Sequence, residues 1–139
     1  MVVLDTNVVS ALMHEPAHPI VLEWLDSQPR ISIWTTSITL MEARYGIQAM
    51  APGRRRSRLF QALERLVSEK IEHRIAAFDT SAANAAALLM AERKRTGRTG
   101  DLRDTMIAGI VIASHATLAT HNTRHFVDLP IPVVDPWNA

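Results

Sequence analysis

Val2, Val3 and Leu4 form a wholly apolar run at the head of the chain, the pattern of a strand buried on both faces of a parallel sheet. Asp5, Thr6 and Asn7 follow, all helix-capping residue types, and Val8, Val9, Leu12 and Met13 then recur at helical spacing. Pro16 and Pro19 break the chain, and Pro19 suits the first turn of a helix carrying Ile20, Val21, Leu22, Trp24 and Leu25. Ile31 to Thr35 reads as a second strand. A helix beginning at Ser37 or Thr39 presents Leu40, Ala43, Tyr45 and Ile47 and fades near Pro52-Gly53. The next helix opens on Arg54-Arg55-Arg56 and carries Leu59, Leu63, Leu66 and Val67, the stripe of a surface helix.

Ile75 to Phe78 reads as a third strand, and Asp79, Thr80 or Ser81 can cap a helix striped by Ala82, Ala86, Leu89 and Met90. That helix ends in Glu92-Arg93-Lys94-Arg95, and a loop from Gly97 to Gly100 leads to Asp101 and a further helix over Leu102–Ser114. Thr117 to Thr120 is a short fourth strand. Ile131 to Val134 is a fifth, placed at an edge because Pro130 and Pro132 flank or interrupt it. Strands alternating with helices predict an α/β sandwich around a mostly parallel sheet of about four or five strands, with one domain over residues 1–139.

Composition narrows the chemistry. No cysteine is present among the 139 residues, which excludes a disulfide scaffold, a thiolate zinc site and a cysteine nucleophile. Lys and Arg total 15 against 14 Asp and Glu, a net charge of +1, so the sum neither demands nor excludes nucleic acid and the distribution matters more. No apolar run approaches the roughly 18 residues of a membrane span, and the head of the chain lacks a basic leader. The expected address is the cytoplasm. There is no glycine-rich phosphate loop and no nucleophile elbow.

In an open α/β sheet, ligands bind beyond the carboxyl ends of the strands. Asp5 directly follows the first strand, Glu42 lies early in the helix after the second, and Asn122 lies just beyond the fourth. Asp101 and Asp104 open the helix before that fourth strand on one face. If the strands are neighbours, these acids converge on one cleft, where clustered carboxylates require a neutralising cation. Hard oxygen donors suit Mg²⁺ or Mn²⁺, and such a site activates water against a phosphodiester. Bland roles stay open: Asp5 and Asp101 as caps, Glu42 closing a capping box with Thr39, Asp104 favouring a helix dipole, Asn122 as a turn residue. His121 and His125 have metal-ligand spacing without the surrounding motif. The Arg54–Arg58 run and Arg93–Arg95 are candidate phosphate contacts.

Four segments taken in order resemble PIN-domain ribonucleases, and within them the VapC- or FitB-like toxins of type II toxin–antitoxin pairs. They are Val3-Leu4-Asp5-Thr6-Asn7-Val8, Thr39 to Ile47, Asp104-Thr105-Met106-Ile107-Ala108-Gly109, and Leu118 to Phe126; Val133-Val134-Asp135-Pro136-Trp137 also looks like the family's C-terminal tail. The resemblance implies a PIN-like three-layer sandwich and a Mg²⁺-dependent endoribonuclease acting on structured RNA such as tRNA. It implies Asp5, Glu42 and Asp104 as the acidic metal set, selects Asp104 over Asp101, and makes Asn122 the fourth member of the catalytic group. Arg54, Arg55, Arg56 and Arg93 are expected to bind RNA. A small VapB-like antitoxin and a homodimer are the implied partners. The apolar residues Trp24, Trp34, Met41, Tyr45, Met50, Phe60 and Leu63 are the expected interface. A non-cleaving RNA- or partner-binding protein, and a metal-dependent DNA nuclease or phosphatase, are the alternatives.

Overall fold

β1 (Val2–Leu4) lies at the centre of the sheet, and its alternating side chains divide the interior in two. In the computed structural model, which describes residues 1–139, Leu4 joins a core with Val8, Val9, Val21, Ile47, Leu63 and Ile71. Val3 faces the opposite core with Ile38, Ile107, Ile110, Val111 and Phe126. β4 (Thr117–Ala119) repeats the division, with Leu118 on the Val3 side and Ala119 on the Leu4 side. β2 (Ile33–Thr36), β3 (Ile75–Ala76) and β5 (Val133–Val134) complete a five-stranded sheet in the order β3-β2-β1-β4-β5, parallel at every pairing. Both faces are covered, so the strands read as continuous apolar runs.

α1 (Thr6–Met13), α2 (Pro19–Ser27) and α4 (Arg54–Arg65) cover the Leu4 face, while α5 (Thr80–Arg95) and α6 (Leu102–Ala113) cover the Val3 face. α3 (Ser37–Gln48) lies at the seam and gives Ile47 to one core and Ile38 to the other. The result is the three-layer α/β sandwich expected from the pattern of elements.

Several boundaries differ from the expectation, each for a local reason. β2 starts at Ile33, because Arg30–Ser32 forms a 3₁₀ turn closed by Ser32 N donating to Pro29 O (2.9 Å), which leaves Ile31 79% exposed. β3 stops at Ala76, because Asp79 N turns back onto Ala77 O (3.0 Å) and Phe78 N donates to Ser37 Oγ (3.2 Å). β3 and β5 are the two sheet edges and have two residues each, and short edges resist unwanted strand addition. Of the apolar residues expected at an interface, Leu63 is core, and Trp24 and Trp34 pack partly buried against the two cores. Met41, Tyr45 and Phe60 remain exposed on α3 and α4.

The tightest helix pair is α5 on α6. A Cβ at Gly109 would lie 2.5 Å from Ala82 O and 2.8 Å from Ala86 Cβ, so the two helices approach over an Ala-Gly-Ala contact with no room for a methyl group. Alanine improves helix propensity by about 1 kcal/mol, while overpacking against backbone costs about 1–3 kcal/mol. Gly109→Ala is therefore expected to lower stability by about 1 kcal/mol net, and Gly109→Val by more. Urea unfolding measures this, and an unchanged or raised midpoint for G109A would show that the helices can part freely.

Candidate active site

The carboxyl end of β1 delivers Asp5 into the interior at 3% exposure. Parallel pairing sets Leu4 opposite Ala119, and Asp5 N donates to Ala119 O at 2.9 Å, which brings Thr120 alongside. Three donors converge on the Asp5 carboxylate. Thr6 N reaches Oδ1 at 2.8 Å, while Thr120 Oγ1 and Asn7 Nδ2 reach Oδ2 at 2.8 and 3.2 Å. Asp5 thus caps α1, as its position after a strand allowed, and also occupies the floor of a cleft.

Glu42 does not close a helix start. The cap of α3 is Thr36, whose Oγ1 accepts from Thr39 N at 3.0 Å. Thr39 is buried and its hydroxyl lies 3.1 Å from that of Thr6. Thr6 Oγ1 in turn donates to Glu42 Oε1 at 2.7 Å, so one hydroxyl links the Asp5 loop to the second acid. Asp101 caps α6, accepting from Arg103 N (2.9 Å) and Asp104 N (3.2 Å). That leaves the Asp104 carboxylate free of capping, and it faces His125 Nδ1 at 3.5 Å. Arg103 spans Glu42 Oε2 (3.5 Å) and Asp101 Oδ1 (3.7 Å).

Burial pushes the Asp5 carboxyl above its ordinary value; the bonds from Thr120 and Thr6 oppose this, and the charges of Asp104 and Glu42 reinforce it. Burial also raises Asp104, with repulsion from Asp101 added and with His125 and Arg103 opposing. The protein thus leaves negative charge here incompletely compensated, and the donors are all hard oxygens. That donor set fits a divalent cation of the Mg²⁺ or Mn²⁺ type. The acids are not drawn into a closed ligand set: no three His, Asp or Glu side chains meet at one point, with Glu42 turned to Thr6 and Arg103, and Asp104 to His125. Asn122 stands at the rim. Its backbone N–H donates to Thr120 Oγ1 at 3.1 Å, and its exposed side chain is not part of the hydrogen-bond network around Asp5.

The PIN-domain family profile matches residues 2–131, which takes in every element that builds this cleft. The chain belongs to the PIN-domain family. It is 33% identical over 139 residues to the plasmid stability protein StbB of Pseudomonas syringae pv. tomato, with 100% of both chains covered. It is 34% identical over 137 residues to the VapC ribonuclease Y4jK of Sinorhizobium fredii, covering 99% of this chain and 98% of the relative. The crystal structure of FitAcB from Neisseria gonorrhoeae superposes with a TM-score of 0.89 at 29% identity, with 100% of each chain covered. Within the family the chain falls with the VapC- and FitB-type toxins, which makes it a nuclease.

Around this PIN-domain cleft the basic residues divide. Arg55 lines a groove of about 200 Å³ together with Thr6, Ser10 and Glu42, so the Glu42 side of the site opens onto α4. Arg54 is exposed, and Arg56 donates to Gln48 Oε1. Arg93 corrects the expectation of an RNA contact. It is 6% exposed and its donors are committed, with Nε and Nη2 bidentate on Asp128 at 2.8 and 3.1 Å, Nη1 on Thr105 Oγ1 at 3.1 Å and Nη2 on His125 O at 3.2 Å. A guanidinium at the head of a basic run is here a tie between α5, α6 and the turn after β4. His121 and His125 do not share a ligand: His121 Nδ1 meets Asp135 at 3.2 Å, and His125 meets Asp104.

The side chains that sequence reasoning missed are Thr6, Asn7, Thr39, Thr120 and Arg103. Thr6 and Asn7 stood in plain view as capping types, but the residues they touch, Thr120, His121 and Glu42, are distant in the chain. No spacing rule pairs Thr120 with Asp5 across 115 residues.

Arg93 generates a prediction. Hydrogen bonds from Arg93 hold the Asp128 carboxyl below its ordinary value of 3.8, against the opposing effect of burial. A depressed carboxylate contributes stability above its unfolded pKa and loses it as pH falls through the lower folded value. Arg93→Met is expected to destabilise the protein by about 3 kcal/mol at neutral pH, with the gap to the unsubstituted chain narrowing as pH drops below 3.8. Denaturant titrations across that range test it, and a constant gap would mean that Arg93 stabilises by packing and by its bonds to Thr105 and His125 O, not through the charge of Asp128.

Proposed function

We propose that this PIN-domain toxin is a divalent-metal-dependent endoribonuclease that hydrolyses phosphodiesters of structured RNA, such as transfer RNA, in the cytoplasm. The observation that carries the reading is Asp5: a carboxylate 3% exposed at the carboxyl end of the central strand, raised by burial and by the charges of Asp104 and Glu42. A helix cap alone does not require two further acids beside it. Asp5 and Asp104 would hold the cation, with Glu42 completing the set or orienting its water. A bound Mg²⁺ or Mn²⁺ activates water and offsets charge developing on the phosphoryl oxygens.

The chain's own residues do the rest. Thr120, Asn7 and Thr6 N occupy three of the roughly four lone-pair sites of the Asp5 carboxylate, which fixes the direction of what remains. Thr6 holds Glu42 in the same frame. Asn122, at the rim, offers an uncharged amide to a water or a phosphate oxygen. Water attacks the phosphorus, the P–O3′ bond breaks and the 3′-oxygen leaves with a proton, so the products carry a 5′-phosphate and a 3′-hydroxyl and the ribose 2′-hydroxyl takes no part. Arg55, in the groove that reaches Glu42, and its neighbours Arg54 and Arg56 supply positive charge for the RNA backbone.

The similarity to FitAB and VapBC complexes supports a small VapB-like antitoxin that silences the site. The exposed Met41 (51%), Tyr45 (69%) and Phe60 (43%) on α3 and α4 are the apolar surface that an antitoxin or a second copy in a homodimer would cover. No helix is long and apolar enough to cross a membrane.

Asp5→Asn and Asp104→Asn are each expected to cut RNA cleavage by about 100-fold or more while the fold persists, since losing one hard ligand disables the site. Chelation should abolish cleavage, Mg²⁺ or Mn²⁺ should restore it, and Ca²⁺ should not. Near-normal turnover by either folded variant would remove the acids from the mechanism, and full activity after exhaustive chelation would remove the metal.

Replacing Arg54, Arg55 and Arg56 with Gln is expected to weaken RNA binding and to flatten its salt dependence by about one unit or less of log–log slope per lost phosphate contact. Fluorescence anisotropy over a salt series measures both. An unchanged slope would place these arginines on a merely solvated face.

A further inference from the structure

We propose that a polar cavity beside Asp104, walled by Arg98 and Arg124, is a phosphate subsite that holds a phosphate of the RNA strand other than the one cleaved; this rests on the ribonuclease reading above. The cavity has a volume of about 230 Å³ and no apolar residue in its lining. Its charged wall comprises Arg93, Arg98, Asp101, Asp104 and Arg124, with the His125 ring beside them. No apolar side chain lines it, and a guanidinium fork matches phosphate oxygens.

The cations divide into spent and free. Arg93 is spent on Asp128, Thr105 and His125 O, and forms the floor. Arg98 reaches the same Asp128 only at 4.0 Å, and that carboxylate is already held bidentately by Arg93. Arg124, exposed on the 3₁₀ turn Thr123–Phe126, has no ion-pair partner. Two guanidiniums with uncommitted donors therefore face one small polar space.

The loop is shaped for this. Gly97 takes φ +73°, a left-handed turn that L-residues rarely adopt, and sends the chain back from the end of α5. A Cβ at Gly100 would lie 2.7 Å from Arg93 Nη1, so glycine there lets the loop close over the buried guanidinium and carry Arg98 to the rim.

Position supplies the ligand's identity. Asp104 lines the cavity and its charge is felt at Asp5. Asp5 is linked through Thr6 to Glu42, which lines the Arg55 groove on the other flank. The acids thus lie between two arginine-bearing openings. An RNA strand crossing from the Arg55 groove over the acids runs next into the Arg98–Arg124 cavity. The facing carboxylates of Asp101 and Asp104 make the cavity a poor trap for a free anion and select a phosphate tethered in a strand.

The test uses the full chain with Arg98→Gln and Arg124→Gln combined. RNA affinity is measured by anisotropy in an Asp5→Asn background, and steady-state cleavage in the otherwise unsubstituted chain. Kd and KM are expected to rise about tenfold, kcat to change by less than about twofold, and the log–log salt slope to fall by about 0.7, one single-strand phosphate contact. Arg98→Lys with Arg124→Lys should keep the slope and recover only part of the affinity, because a point charge replaces a fork. Arg30→Gln, which loses the same type of charge before β2 at the opposite end of the sheet, should leave Kd unchanged. A methylphosphonate placed at successive RNA positions should weaken binding at one position next to the cleavage site, and that penalty should vanish in the double variant. Unchanged Kd and slope, or a fall in kcat at constant KM, would overturn the subsite. Failure of the unsubstituted chain to cut any RNA with Mg²⁺ would instead overturn the ribonuclease reading, whatever the binding data show.

Discussion

The bond from Thr120 Oγ1 to Asp5 Oδ2, 2.8 Å long and buried between adjacent parallel strands, marks the register on which both the core and the site depend. It exists only in the register that pairs Leu4 with Ala119. That register also places Val3 and Leu118 on one face and Leu4 and Ala119 on the other. A slip of one residue would turn each apolar side chain to the wrong core and would carry Asp5 away from its donor. The hydrophobic effect therefore enforces the alignment that the carboxylate needs, and the site inherits its precision from the packing of the sheet.

Charge is buried in two different ways in this protein. Arg93 and Asp128 form a self-neutral bidentate pair whose remaining donors are satisfied by Thr105 and the carbonyl of His125; it ties α5 to α6 and to the turn after β4. Asp5 has no cationic partner. Its neighbours are neutral donors, and the nearest charges are those of two further acids, which raise its pKa. A buried charge left without a counter-charge destabilises the fold; on the proposed function, a cation held in the cleft would supply the counter-charge that Asp5 lacks.

The layout of charge explains why a net value of +1 said so little. Acids gather at the carboxyl ends of β1 and of the neighbouring strands, while arginines stand on α4 on one flank and on the loop and turn around α6 on the other. A polyanion needs both: carboxylates where a cation is to be held, and guanidiniums where phosphates must rest. The near-zero sum over the whole chain therefore hides local excesses of both signs at the site.

Much of this was legible in one dimension. The apolar run Val2–Leu4 implied a doubly buried strand, Asp79 and Asp101 were readable as caps, and the alternation of strands and helices implied a parallel sheet, because these depend on neighbours within a few residues. Asp5, Glu42 and Asp104 could be singled out because strand ends and helix starts are where an α/β sheet opens. The tertiary structure alone decided the rest. It alone turned Glu42 from a possible cap into a partner of Thr6, recruited Thr120 to Asp5, joined Asn7 to Thr120 and sank Arg93 into an ion pair. In each case the deciding contact joins residues far apart in the chain or depends on which face of a helix meets its neighbour. Local patterning restricts the backbone but does not choose among long-range partners; the closure of two cores around one parallel register does.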